Sequence, residues 1–222
     1  MAMQVGDDAW CDVVKTGAVK MLGAALDERV VKGLAFHANS LMLWNGKVNL
    51  TSITDPLQVA EKHVLDALAV TPFLPKAGRV LDVGTGGGFP GIAMALMRPD
   101  LDVVMVDSVH KKTVFVREVI RGLRLERAQA LHARVESLQK NDGCQGFSCI
   151  VSRAFTALGR FVEMGLPLLH PSGTILAMKG PEGTTESLPS CEGLEKDVFC
   201  YDLPFGGGER VIVRLRRSPY PV

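Results

Sequence analysis

The stretch Val80-Leu81-Asp82-Val83-Gly84-Thr85-Gly86-Gly87-Gly88-Phe89-Pro90-Gly91 reads as an apolar strand, a glycine turn and the start of a helix. Glycine takes positive φ without a Cβ penalty and lets another molecule come close to the backbone. A helix that starts here points unpaired N–H groups and its positive dipole end at the turn. A strand, turn and helix of this kind hold a nucleotide-like ligand, and the residues around them decide which one.

Working outward, the N-terminal side is helical. Residues 9–26 and 27–45 read as two helices, the second carrying Val30, Leu34, Ala38, Leu41 and Leu43-Trp44 near helical spacing, with Asp27 as its cap. Turn-prone residues from Trp44 to Thr51 end that pattern. A third helix is expected over 56–71, with Asp55 as N-cap and Pro56 in its first turn. Beyond the glycine turn, strands and helices alternate. A helix is expected over 90–98 and a strand over 103–106 that ends at Asp107. A helix over 111–124 turns Val116, Val119, Ile120 and Leu123 inward and Arg117, Arg121 and Arg124 outward. Strands follow over 128–132, 149–152 and 174–178, with a helix over 156–168 and a loop over 180–195. The tail reads as a hairpin of 198–203 and 211–215 across Gly206-Gly207-Gly208. Met94, Met97, Trp44 and Phe36 read as packing residues.

The sum is a doubly wound α/β domain over residues 76–222 with a small helical extension over 1–75 packed on it as one compact unit. In such sheets ligands sit beyond the carboxyl ends of the strands. That rule lines up 84–88, Asp107 and Ser152-Arg153 along one edge.

Composition narrows the classes. The chain has 222 residues, is 47% hydrophobic and carries a net charge of +1, enough for a sizeable core and too balanced to announce a nucleic-acid partner. Its five cysteines form no CxxC pair and have no histidine at ligand spacing, so neither a zinc site nor a disulfide framework is expected. No signal peptide and no membrane span are expected, which suits a cytoplasmic protein.

Two registers of the glycine turn compete. Gly86-Gly87-Gly88-Phe89-Pro90-Gly91 satisfies G-x-G-x-x-G, the dinucleotide fingerprint. Asp82-Val83-Gly84-Thr85-Gly86-Gly87-Gly88 instead resembles the first motif of class I S-adenosylmethionine-dependent methyltransferases. Asp107, at the end of the next strand, suits ribose hydroxyls in either case. The C-terminal hairpin favours the second register, because an antiparallel seventh strand at the sheet edge is a methyltransferase feature and little chain remains for a dehydrogenase's substrate domain. An NAD(P)-dependent oxidoreductase and a non-catalytic nucleotide-binding adapter are the alternatives.

A closer resemblance runs from residue 44 to 180. Trp44-Asn45, Asn49-Leu50-Thr51, His63-Val64-Leu65-Asp66, 82–91, Asp107-Ser108, Arg134-Val135-Glu136, Ser152-Arg153-Ala154-Phe155 and Lys179-Gly180 resemble, in order, segments of the ribosomal small-subunit methyltransferase G family, also called glucose-inhibited division protein B. The resemblance implies a class I methyltransferase fold with a mostly parallel seven-stranded sheet. It also implies methyl transfer from S-adenosylmethionine to N7 of a guanine in 16S ribosomal RNA, with that RNA or the small subunit as partner, no stable protein partner and no metal. It places Gly84 and Phe89 at the cofactor, Val135 and Glu136 beside the adenine, and Arg153 closing the site as a positioning residue. Asp107 is added from its strand position.

Guanine N7 carries a lone pair, so methylation needs no general base, and none is apparent. Phe155 and Arg153 are candidates for stacking on an exposed base. Asn49, Lys179, Arg117, Arg121 and Arg124 are candidate RNA contacts. The plainer readings are a turn former for Asn49, a surface lysine for Lys179 and a solvated helix face for the arginines. His63 reads either as orienting a loop near the site or as structural.

Overall fold

The computed structural model describes residues 2–138, 146–153, 156–186 and 193–218. Two helices lead, α1 (Asp8–Leu22) and α2 (Glu28–Val48). Asp27 caps α2 as expected, its carboxylate accepting from Arg29 N–H at 2.7 Å. The helix runs past the turn-prone residues and ends at Asn49, held in the left-handed region at φ 52°. Those residues close the following loop instead: the Asn45 side-chain amide and the Thr51 backbone exchange two hydrogen bonds of 2.9 Å. Leu43, expected on the apolar face, is 72% exposed.

The third helix begins where Asp55 and Pro56 place it, with Asp55 accepting from Gln58 N–H. It is not one uniform helix. A short α3 (Pro56–Gln58) passes through a π-helical stretch, Val59–Leu65, into α4 (Asp66–Leu68). A π-turn admits an extra residue and displaces the carbonyls that follow from the α ladder.

Seven strands form one sheet: β1 (Arg79–Val83), β2 (Asp102–Asp107), β3 (Ala128–His132), β4 (Phe147–Arg153), β5 (Leu169–Lys179), β6 (Leu194–Asp202) and β7 (Glu209–Arg217). Their order is β3-β2-β1-β4-β5-β7-β6. The first five run parallel, and β7 lies antiparallel between β5 and β6. This is the class I methyltransferase arrangement. The chain reverses its winding between β1 and β4, where Val83 pairs with Ser152, and there the carboxyl ends open a crevice. Helices α5 (Gly91–Met97), α6 (His110–Leu123) and α7 (Leu158–Gly165) cover the faces.

Strand alternation divides the core. Val80, Val103, Met105 and Val151 face one cluster together with Trp10, Leu34, Leu65, Ile92 and Phe115. Leu81, Val83, Val104 and Ile150 face the other, with Leu158, Phe161 and Ile175. The N-terminal helices therefore share a single apolar cluster with α5 and α6. Trp10, with no exposed surface, also donates its indole N–H to the Pro56 carbonyl at 3.0 Å.

Glu61, only 3% exposed, joins this helical layer to the C-terminal hairpin. Its Oε1 accepts the backbone N–H groups of Phe205 at 2.6 Å and Gly207 at 2.9 Å. Replacing it with alanine strands both donors, so Glu61→Ala should lose about 2–4 kcal/mol in urea unfolding, and Glu61→Gln, which keeps an acceptor, clearly less. An alanine variant as stable as the wild type would show that the hairpin tip is held by other contacts.

Candidate functional site

The glycine turn is held by two carboxylates. Asp82, with no exposed surface, accepts the Thr85 hydroxyl at 2.6 Å and the Gly91 N–H at 2.9 Å through Oδ2. Its Oδ1 is buried without a partner among the described residues. Burial pushes this carboxyl up to about 6, against the two hydrogen bonds that favour its charge. Asp107 holds the other side. Its Oδ2 accepts from Gly86 N–H at 2.9 Å and its Oδ1 from Val109 N–H at 2.8 Å. Gly84, Gly86 and Gly88 all lie at positive φ, so the turn depends on glycine. A Cβ at Gly86 would meet only the Gly84 carbonyl, at 3.9 Å, which leaves that side open to a ligand.

A cavity of about 480 Å³ lies beyond the ends of β1, β2 and β3, lined by Gly84, Asp107, Lys112, Arg134, Val135 and Glu136. Its size suits a nucleoside-bearing ligand. Each Asp107 oxygen keeps a lone pair for a hydroxyl donor. The short helical turn Val135–Ser137 puts Val135, 4% exposed, into the wall and leaves Glu136 exposed. The residues therefore fit S-adenosylmethionine: an open glycine backbone, a carboxylate at ribose position and an apolar wall.

A second cavity, about 490 Å³, lies on the other side of β4, lined by residues that include Ile53, Lys62, Arg153, Met178, Glu182 and Arg210. Arg153 lines this second cavity. It donates to the Lys62 carbonyl at 2.9 Å and to Asp66 Oδ2 at 3.1 Å, and its guanidinium lies 5.2 Å from the Phe89 ring centre. The Lys62 carbonyl reaches it from within the π-turn. Asp66 Oδ1 accepts the Tyr201 hydroxyl at 2.7 Å, and burial, then the Asp66 charge, raises that phenol.

Phe89 is packed between two histidine rings, His37 at 4.2 Å and His63 at 5.2 Å, both nearly parallel to it. His37 Nε2 bonds the Gly87 carbonyl at 2.7 Å, which makes it the protonated nitrogen. His63 Nε2 meets the Thr51 hydroxyl at 2.8 Å. Burial lowers His37 to about 4, with Arg153 adding to the effect. Burial, then Arg153, then His37 lowers His63 to about 3. Both rings are neutral at neutral pH.

The structure thus brings Gly84, Asp107, Val135 and Glu136 to one cavity. Phe89 is 4% exposed and supports the turn from beneath, lining neither cavity. Lys179 lines the second cavity, but its ammonium is taken by Glu186 at 2.6 Å and the Thr156 carbonyl at 2.8 Å. Asn49 is exposed at the end of α2, where its contribution is backbone conformation. Thr51 is the residue that ties its own turn, accepting from Ile53 N–H at 3.0 Å. Phe155 lies outside the described residues.

The three arginines of α6 sit away from this edge, since α6 leaves the carboxyl end of β2 and runs back along the sheet. Arg117 bonds the Ala130 carbonyl at 2.9 Å and Arg121 pairs with Glu118. Arg124 ends the helix at φ 51° and lines a third cavity with Leu101 and Gly122. Sequence reasoning passed over His37, Glu61 and Tyr201. Only an acidic residue and two buried-type ring residues at unremarkable helix and strand positions marked them. Among the described residues, no group of three His, Cys, Asp or Glu side chains could hold a metal ion.

Known proteins resemble this chain in sequence and in fold. The family described as rRNA small subunit methyltransferase G matches residues 31–199. A protein of Geobacter metallireducens named ribosomal RNA small subunit methyltransferase G is 41% identical over 213 residues, covering 93% of this chain and 96% of its own. A protein of the same name from Syntrophotalea carbinolica is 37% identical over 204 residues, covering 89% and 94%. In fold, the chain is similar to the cofactor-bound structure of Rv0187 from MTB, with a TM-score of 0.60 at 14% identity, covering 94% and 97%.

The Asp82 carboxyl should leave a mark on stability. Its folded value of about 6 lies above the ordinary 3.8, so it favours folding fully below 3.8 and that contribution is lost as pH rises through about 6. Asp82→Asn cannot titrate. Between about pH 4 and pH 7 the urea-unfolding difference between the two proteins should therefore move in the variant's favour by up to about 3 kcal/mol. A difference that stays constant with pH would count against a raised Asp82.

Proposed function

Because the chain belongs to the rRNA small subunit methyltransferase G family, we propose that it transfers a methyl group from S-adenosylmethionine to N7 of a guanine in 16S ribosomal RNA. The family match over residues 31–199 carries this reading. The geometry of the cavity at the glycine turn supports it.

In this reading Gly84, Asp107, Val135 and Glu136 would hold the adenosine, with Asp107 as acceptor for the ribose hydroxyls. S-adenosylmethionine supplies an electrophilic methyl: the C–S electron pair stays with sulfur, the N7 lone pair forms the new C–N bond, and the positive charge passes from sulfur to the purine. No proton leaves N7, so no side chain acts as a general base. The protein's part is to hold acceptor and methyl donor in a near-attack geometry. Arg153, fixed by Asp66 and the Lys62 carbonyl in the lining of the second cavity, is the positioning residue.

The partner is 16S ribosomal RNA, naked or in an assembling small subunit, and the compartment is the cytoplasm. Among the described residues no helix is long and apolar enough to cross a membrane. Asn49, at the exposed end of α2, and Phe155 remain the candidates for RNA contact. The partners of Lys179, Arg117 and Arg121 within the protein favour structural roles for those three.

Small-subunit RNA from a strain lacking the modification, incubated with labelled S-adenosylmethionine, should acquire one methyl at a guanine N7. Tight NAD(P) binding with no label in RNA would overturn the assignment. Arg153→Ala should lower kcat/KM about 100-fold, the scale expected for a displaced acceptor, with Arg153→Lys intermediate and far-UV circular dichroism unchanged. Near-normal turnover in the alanine variant would remove Arg153 from the machinery.

A further inference from the structure

The second cavity has a chemistry that the methyl-donor side does not explain. Its lining mixes an apolar floor, Ile53 and the 2%-exposed Met178, with the side chains of Lys62, Arg153, Glu182 and Arg210. That mixture suits a flat heteroaromatic ring with polar edges on an anionic backbone. Three carboxylates lie in or beside it, and two are spent. Asp66 accepts from Tyr201 and Arg153 through separate oxygens. Glu186 accepts from Lys179 through one oxygen and from the Leu158 N–H through the other. Glu182 is the third. Among the described residues its carboxylate has no hydrogen-bond or ion-pair partner, and it is exposed to the cavity.

Glu182 lies in the short helical turn Pro181–Thr184, and its carboxylate folds back over Gly180. A Cβ on Gly180 would stand 2.8 Å from Glu182 Oε1, closer than real Cβ contacts allow. The missing side chain at Gly180 is what lets the carboxylate rest there.

A guanine that presents N7 to a methyl donor turns its opposite edge, with the N1–H and the N2 amino group, toward the far side of its pocket. Those two donors distinguish guanine from adenine, and a carboxylate accepts both. We propose that this cavity receives the target guanine splayed out of the RNA, and that Glu182 is its specificity residue, accepting from N1–H and N2–H. Proteins that work on a single base commonly read it this way, on its Watson–Crick edge. The proposal rests on the reading that a guanine N7 is the acceptor.

The test compares target RNA carrying guanine with the same RNA carrying inosine, which keeps N1–H and N7 and lacks the N2 amino group. Wild type should methylate the guanine RNA at least about 10-fold faster in kcat/KM than the inosine RNA. Glu182→Ala and Glu182→Gln should lose about 10- to 100-fold on guanine, and the alanine variant should treat both RNAs nearly alike. S-adenosylmethionine affinity should not change, because Glu182 does not line the cofactor cavity. Alanine and glutamine variants that keep wild-type rate and discrimination would overturn the specificity role while leaving the methyl transfer standing. A wild type that places no methyl on guanine N7 would overturn both.

Discussion

The bond between Arg153 and Asp66 ties together three distant parts of the chain. Arg153 ends the central strand β4, Asp66 opens α4 in the N-terminal layer, and Tyr201 on the edge strand β6 takes the remaining Asp66 oxygen. The side chains of the pair are 17% and 8% exposed, so removing either partner would leave the other charge in a poorly hydrated place. A buried pair of this kind is a weak source of net stability and a strong source of position. It states where β4, the helical layer and the hairpin must sit relative to one another. The crevice between β1 and β4 takes its shape from that agreement.

The cluster around Phe89 is arranged to live beside that cation. Two histidine rings lie within stacking distance of Phe89, and Arg153 stands over the same ring. Had either histidine been charged, the site would have held repelling cations in a medium that screens them poorly. Burial and Arg153 both push the imidazoles toward their neutral forms, so packing and electrostatics require the same thing. The neutral His37 can then serve the turn directly by donating to the Gly87 carbonyl.

What the sequence made legible was local. The glycine turn, Asp27 and Asp55 as caps, the alternation of strand and helix and the tail hairpin are all written in residues close together in the chain, and each stands in the structure. The π-turn was hidden because Val59, Ala60, Val64 and Leu65 keep an apolar pattern that an ordinary helix would also show. Leu43 misled for the converse reason, since a side chain at helical spacing is not thereby on the buried face. Glu61 and Tyr201 were illegible in principle. Their partners lie up to 146 residues away, and no local pattern encodes a pairing across that distance. The candidate site was therefore half readable: the cavity at the glycine turn is built mainly from the turn and the strand ends that follow it, and the bracing of Arg153 comes from both ends of the chain.

The hairpin that supplies Tyr201 also orders events in time. A ribosome makes β1 to β5, with the whole glycine turn, well before it makes β6 and β7. Until Tyr201 and the loop at Phe205 emerge, Asp66 lacks one of its two donors and Glu61 lacks both of its backbone partners. A growing chain can thus shape a place for the nucleoside early, yet its bracing around Arg153 is completed only near the end of synthesis. Contacts of such long sequence separation are also the slow ones to form. The last partners to be synthesised are therefore those on the edge strand β6 and at the hairpin tip.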